Sequence, residues 1–231
     1  MPKDVVLSDV DVWESSITTW LRSNVAEDPA HDVDHLLRVW RTAKALAAAE
    51  AERDGGPSSD RPADMLVVLA AALLHDIVNV PKDHPDRSRA SRLSADRAEE
   101  VLSGMGFPDA LIPATRHAIE AHSYSAGIPP LTIEAKLVQD ADRLESLGAI
   151  GIARCFATSG LMKRALFHGE DPMAEARPLD DLQYALDHFK AKLLLLPNTM
   201  QTPAGRARAQ ERAAFLLSFQ VQLLAEIAGD A

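Results

Sequence analysis

Apolar residues recur at helical spacing along most of the chain, separated by short polar segments. Near the start, Val10, Trp13, Ile17, Trp20 and Leu21 fall on one face of a helix. This helix should end before Pro29, because proline lacks the backbone N–H that a helix interior requires. Helical spacing also predicts helices over 32–51, 63–76, 88–105, 108–122, 132–142, 144–159, 182–196 and 203–227.

The segments between these helices are rich in Pro, Gly, Ser or charge, which is typical of loops. They lie at 52–62, 78–89, 123–131 and 169–181. Alanine and leucine are abundant while aromatic residues make up only 5% of the chain, a composition that favours helix over sheet. The sequence therefore predicts an all-α fold, and its short connections indicate one compact domain over 1–231.

Charge and cysteine content limit the class of protein. The 24 basic and 34 acidic residues give a net charge of -10, which opposes sequence-independent binding to nucleic acid or to anionic membranes. Cys155 is the only cysteine, so no disulfide forms within the chain. The first residues lack the layout of a signal peptide, and no apolar run approaches the roughly 20 residues of a membrane span. We expect a cytoplasmic protein.

A His-Asp doublet stands at the end of the most apolar segment. Residues 65–74 read MLVVLAAALL and predict a buried helix, and His75 and Asp76 follow directly. Burying an ionisable group costs several kcal/mol unless it is paired or binds a metal. A nitrogen ligand beside an oxygen ligand suits a divalent cation, so the doublet predicts a metal site.

Two histidines begin the second predicted helix. His31 and His35 are four residues apart and share a helix face. His35 lies where the polar start of the helix meets its buried stripe, whereas His31 lies one turn nearer solvent. His35 is therefore the better candidate ligand, and His31 is a candidate for contact with substrate.

Two aspartates lie at the end of another apolar pattern, in Gln139-Asp140-Ala141-Asp142. Asp140 and Asp142 are roughly 200° apart around a helix, so at most one of them should face the metal. We expect the other to be solvated or to cap the helix.

These three elements together resemble the HD superfamily of metal-dependent phosphohydrolases, which is named for its His-Asp doublet. The resemblance extends over nearly the whole chain and is closest to small bacterial HD hydrolases. It is carried by HDVDHLLRVW, AALLHDIVNVPK, EAHSYS, KLVQDADRLESLGAIGIAR and DHFKAKLLLLPNTM. It implies a single HD-type helical domain with the metal-site core at about 30–145 and C-terminal helices at about 146–228 packed on it.

The same resemblance implies His35, His75, Asp76 and Asp142 as metal ligands, with Asp140 outside the ligand set. Two imidazoles and two carboxylates suit Mn, Fe, Co, Ni or Zn, with Mg also possible. The chain lacks the Gly-Lys that follows the doublet in the cyclic-dinucleotide branch of the family. We therefore predict one divalent ion rather than two.

Further polar residues are candidates for substrate binding and proton transfer. His117 and His122 lie roughly 140° apart on one predicted helix, so only one should face the site. We expect His117 to be exposed or to cap the helix, and His122 to bind substrate or support the ligands. Cationic groups that phosphate oxygens favour are predicted at Lys82, Arg38, His188 and Lys192. Asp76 and His31 are the candidate catalytic groups for proton transfer.

The sequence and the resemblance together predict a phosphohydrolase that uses water activated by the metal. Its substrate is a small phosphorylated compound, and the resemblance implies a nucleotide. Both a nucleotidase and a nucleoside triphosphate pyrophosphohydrolase fit this prediction. The alternative is a catalytically silent module that binds a metal or a nucleotide for regulation, since a fold does not guarantee catalysis.

Overall fold

The computed structural model describes residues 9–25, 33–53, 62–78, 80, 89–124 and 126–230. Within these ranges the regular structure is helical, apart from one isolated β-bridge between Ala165 and Tyr184. The predicted all-α class is therefore confirmed. The α-helices of the described residues are α1 (Asp9–Asn24), α2 (Val33–Glu52), α3 (Met65–Leu74), α4 (Ala90–Met105), α5 (Ile112–His122), α6 (Ile133–Leu144), α7 (Gly148–Leu161), α8 (Asp187–Ala191) and α9 (Pro203–Ala228).

The chain divides into two compact units, Met1–Asp142 and Arg143–Ala231. The first unit contains α1 to α5 and most of α6, and the second contains α7 to α9. The expectation that they form one domain stays a prediction. None of the helices in the described part of the chain combines the length and apolarity needed to cross a membrane.

Helix α3 is the centre of the first unit. All residues from 67 to 74 are at most 1% exposed, and α3 packs against α1, α2, α4 and α5. A helix that is apolar all round can be buried on every side, and this one is. Asp64 caps its start by accepting hydrogen bonds from the backbone N–H groups of Leu66 and Val67.

In the second unit, the structure corrects one predicted helix. The helix predicted over 182–196 is instead the short α8 followed by a 3-10 helix over Leu193–Thr199. Lys192, between the two, leaves helical geometry with φ -141. Pro197 lies inside the 3-10 segment, and its ring would clash with the carbonyl group of Leu193 in an α-helix.

The segment before α8 is held by an ion pair. The two guanidinium nitrogens of Arg177 donate to the two carboxylate oxygens of Asp187 at 2.6 and 2.8 Å. The backbone N–H of Asp180 also donates to Asp187, at 2.7 Å. Asp187 is only 2% exposed, and these donors compensate its buried charge.

Candidate metal centre

Helices α2, α3, α5 and α6 bring ionisable side chains to one place in the first unit. His35 lies in the first turns of α2, and His75 and Asp76 directly follow α3. His122 is the last residue of α5, and Asp142 lies near the end of α6. Their ligand atoms form two overlapping groups, His35 with His75 and Asp142, and His75 with Asp76 and His122, each within 4.8 Å.

The distances between these ligand atoms fit a shared cation better than hydrogen bonds. Asp142 Oδ1 lies 3.6 Å from both His35 Nε2 and His75 Nε2. Asp76 Oδ1 lies 3.4 Å from His122 Nε2, and Asp76 Oδ2 lies 3.9 Å from His75 Nε2. Two ligands that are each about 2.1 Å from one ion are roughly 3.0 to 3.4 Å apart at octahedral or tetrahedral angles. The groups therefore need to move only a few tenths of an ångström to enclose an ion.

The ring of His75 is oriented for ligation. Its Nδ1 lies 2.9 Å from the carbonyl oxygen of Ala72, and because a carbonyl only accepts, Nδ1 carries the proton. In the neutral ring the lone pair is then on Nε2, which faces the two aspartates. That atom is buried and makes no hydrogen bond to any residue that the structure describes. A buried nitrogen with a free lone pair is the arrangement that a metal ion satisfies.

The ring of His122 is oriented in the same way. Its Nδ1 lies 2.6 Å from the carbonyl oxygen of Ile119, so Nδ1 carries a proton, and Nε2, which has the lone pair in the neutral ring, is directed at Asp76. The ring of His122 also lies edge to face with that of His75, with centroids 4.6 Å apart. His122 is thus part of the cluster rather than a neighbour of it.

The helical pattern of α5 contains a signal for this position of His122. Thr115, Ala118, Ile119 and His122 are all buried and follow the i, i+3, i+4, i+7 spacing of one helix face. His122 therefore continues the buried stripe to the end of α5. His117 lies off that stripe and is half-buried, and its Nε2 accepts a hydrogen bond from the backbone N–H of Leu131 at 3.0 Å.

The cluster has strong internal electrostatics. Burial alone would lower the pKa of His75, but its contact with Asp142 and the charges of Asp76 and Asp142 raise that pKa to about 9. Burial alone would raise the pKa of Asp142, but His75, His122 and His35 hold it below its ordinary value. These opposite shifts favour a proton on Nε2 of His75 beside a charged Asp142 while no metal is bound. A divalent ion has to displace this proton, because imidazole ligates in its neutral form.

The structure separates the two aspartates of α6. Asp142 belongs to the cluster, whereas Asp140 is 0% exposed and belongs to neither group of candidate ligands among the described residues. The expectation that Asp140 is solvated is wrong, and the alternative that it caps a helix stays a prediction. Asp140 lies on the face of α6 that includes Leu137 and Leu144, which are also completely buried.

The remaining predicted site residues lie elsewhere or outside the described ranges. His31 and Lys82 lie outside the described residues. Arg38 is half-buried on α2, one turn after His35. His188 and Lys192 lie in the second unit, where His188 Nδ1 is 2.8 Å from a carboxylate oxygen of Asp181.

Comparison with known proteins gives the family. The model of the HD domain family matches residues 32–147. The protein YpgQ of Bacillus subtilis (strain 168) is 35% identical over 218 residues, which cover 92% of this chain and 93% of YpgQ. The crystal structure of YpgQ in complex with ADP has a TM-score of 0.69 at 32% identity and covers 94% of this chain and 100% of that chain. An HD-superfamily hydrolase from Bacillus thuringiensis has a TM-score of 0.69 at 27% identity, covering 94% and 97% of the two chains.

The matched segment contains all five members of the cluster, from His35 to Asp142. The relatives cover almost the whole chain, so the similarity extends beyond the site to both compact units. The expected resemblance is therefore confirmed, and the chain belongs to the HD domain family.

Proposed function

We propose that this protein is a metal-dependent phosphohydrolase that acts on a small phosphorylated compound of the nucleotide class. The observation that carries the proposal is the buried Nε2 of His75, which makes no hydrogen bond to any described residue and faces two carboxylates. Two carboxylates beside such a nitrogen repel its lone pair unless a proton or a cation lies between them, and a divalent cation can be shared by all three groups. The proposal is also supported by a relative from Bacillus thuringiensis that is named as an HD-superfamily hydrolase.

The proposed ligands are His35, His75, Asp76 and Asp142, with His122 adjacent to Asp76. A divalent ion bound there would lower the pKa of water and polarise a phosphoryl oxygen. The mixed nitrogen and oxygen donors suit Mn, Fe, Co, Ni or Zn, and Mg is a further candidate. We propose that this ligand set holds one divalent ion.

Asp76 is also the proposed proton acceptor. Its side chain is 22% exposed, whereas the ring of His75 is completely buried, so the carboxylate of Asp76 reaches both the cluster and solvent. The proximity of His122 Nε2, at 3.4 Å, allows a proton to leave Asp76 through the imidazole. His31 is proposed as a second proton-transfer group on the sequence alone.

The nucleotide class is supported by the relative that was crystallised with ADP. A polyanionic substrate needs local positive charge in a protein of net charge -10. We propose that the metal supplies part of this charge and that Lys82, Arg38, His122, His188 and Lys192 contact the substrate. No nucleic-acid or membrane partner is proposed.

Product analysis tests this function directly. The purified full chain is loaded with Mn and incubated with nucleoside mono-, di- and triphosphates, and the products are separated by chromatography. Release of inorganic phosphate from a monophosphate indicates a nucleotidase, whereas release of pyrophosphate from a triphosphate indicates a pyrophosphohydrolase. If the protein binds Mn and nucleotide but hydrolyses none of the panel, the proposed hydrolase is wrong and the silent binding module is the better description.

A further inference from the structure

A second polar cluster lies in the second compact unit and contains Arg164, Asp181, His188 and Lys192. His188 lies on α8, and Lys192 follows one turn later, with its backbone N–H donating to the carbonyl of His188 at 3.0 Å. Arg164 lies just after α7. The next residue, Ala165, forms the β-bridge with Tyr184, which brings this segment beside the residues that lead into α8.

The ring of His188 is fixed by Asp181. The carboxylate Oδ2 of Asp181 lies 2.8 Å from Nδ1 of His188, and because a carboxylate only accepts, Nδ1 carries the proton. In the neutral ring the other nitrogen, Nε2, has the lone pair and acts as a hydrogen-bond acceptor. Burial is the main cause that lowers the pKa of His188, and the charges of Lys192 and Arg164 lower it further against the opposing effect of Asp181. Both cations therefore act electrostatically on the ring, in line with the backbone contacts that bring Arg164 and Lys192 beside α8.

These two cations have no carboxylate partner among the residues that the structure describes. The Nε of Arg164 is buried without a hydrogen bond, and no ion pair joins Arg164 or Lys192 to a described acid. By contrast, the guanidinium of Arg177 in the same unit pairs with both carboxylate oxygens of Asp187. Two unpaired positive charges beside one imidazole repel each other, and a bound anion would remove that repulsion.

We propose that Arg164, His188 and Lys192 form a binding site for a phosphoryl group in the second unit. Arginine and lysine are the donors that phosphate oxygens favour, and Nε2 of the neutral His188 ring can accept a hydrogen bond from the P–OH of a monoprotonated phosphate. A phosphoryl group offers both oxygens that accept and, when monoprotonated, a hydroxyl that donates, whereas a carboxylate offers two accepting oxygens. The site stands on the contacts of this unit alone, and its use for the phosphates of a nucleotide substrate rests on the proposed function.

Calorimetric titration with inorganic phosphate tests the site. The full chain is stripped of divalent metal and dialysed free of chelator, so that the metal centre makes no contribution. Arg164→Gln and Lys192→Gln are expected to weaken phosphate binding about tenfold or more, the effect of losing one charge-assisted hydrogen bond. Arg208→Gln is the matched control, because it removes the same charge from an exposed position on α9 of the same unit.

The proposal is overturned if the wild-type chain binds no phosphate at millimolar concentration, or if Lys192→Gln binds it as tightly as Arg208→Gln does. Lys192 is exposed, so its variant remains informative if Arg164→Gln folds poorly by circular dichroism. Nucleotide hydrolysis by the metal-loaded chain then shows whether the phosphoryl group that binds here belongs to the substrate or to another ligand. A raised KM in Lys192→Gln assigns the site to the substrate, and an unchanged KM with lost phosphate binding assigns it to a separate phosphorylated ligand.

Discussion

The Nε2 of His122 lies 3.4 Å from the Oδ1 of Asp76, so the last residue of α5 meets the residue that ends the His-Asp doublet. Because Nδ1 of His122 is engaged by the carbonyl of Ile119, the lone pair of Nε2 points at a carboxylate that also accepts. Two acceptors repel each other at this distance unless a proton or a cation lies between them. A proton on Nε2 or the proposed divalent ion removes this repulsion, and the variants below distinguish the two.

Replacing Asp76 by Asn should remove the metal. The substitution preserves the size of the side chain but removes the negative charge that holds a cation, so we expect metal affinity to fall by about 100-fold or more and hydrolysis to be lost. Metal content after dialysis, measured by emission spectroscopy, checks this. Asp34→Asn, at an exposed position of α2 next to His35, is the control and should retain the metal. Equal metal content in both variants would remove Asp76 from the ligand set.

Replacing His122 by Gln should also weaken metal binding, by about tenfold or more, because one nitrogen near Asp76 is lost. His117→Gln is the matched control on the same helix, since His117 contacts the backbone of Leu131 and belongs to neither group of candidate ligands among the described residues. Titration of the metal-free variants with Mn measures both affinities. If the two variants bind Mn equally well, His122 supports substrate binding instead.

Replacing two glycines of α7 by alanine should change the free energy of unfolding in opposite directions. A Cβ on Gly151 would meet the backbone carbonyl group of Ser146 inside van der Waals contact, and a backbone cannot yield as a side chain can. We expect Gly151→Ala to lower the free energy of unfolding by about 1 to 3 kcal/mol. Gly160→Ala meets open space and should raise it by about 0.5 to 1 kcal/mol, because alanine is the better helix former. Urea denaturation followed by circular dichroism distinguishes these outcomes, and equal shifts would contradict them.

The Arg177–Asp187 pair should make stability depend on pH. Burial alone would raise the pKa of Asp187, but the hydrogen bonds from Arg177 and from the backbone of Asp180 hold it below its ordinary value. The folded state therefore binds this proton less readily than the unfolded state does. The stabilisation is present above the ordinary aspartate pKa of about 3.9 and is lost as pH falls through the lower pKa of the folded state.

Replacing Asp187 by Asn tests this dependence. At neutral pH we expect a loss of about 2 to 4 kcal/mol in the free energy of unfolding, because the charge of Arg177 loses its partner. The difference from the wild-type protein should shrink as the pH falls, because a protonated Asp187 resembles Asn. Urea denaturation at several pH values measures it, with the exposed Asp230→Asn as control. A difference that is independent of pH would assign the stabilisation to packing rather than to charge.

Most helices could be predicted from the sequence because local spacing determines them. The run 65–74 is apolar on every face, and no fold can expose it to water, so α3 followed from the residues alone. The segment 182–196 shows the limit of this reasoning. Its leucines follow helical spacing, but Pro197 and the contacts of Asp180 and Asp187 replace one long helix by turns, α8 and a 3-10 helix.

By itself, the sequence determined the all-α class and the kinds of donor atom near the end of the buried helix α3. It could not determine which atoms meet, since His122 and Asp76 come together only when α5 packs against α3. The fold also places Asp142 in the cluster and buries Asp140 on another face of α6. The physical reason is that spacing along a helix decides which face a residue occupies, whereas the neighbour on that face, and the carbonyl that orients each imidazole, depend on the assembled tertiary structure.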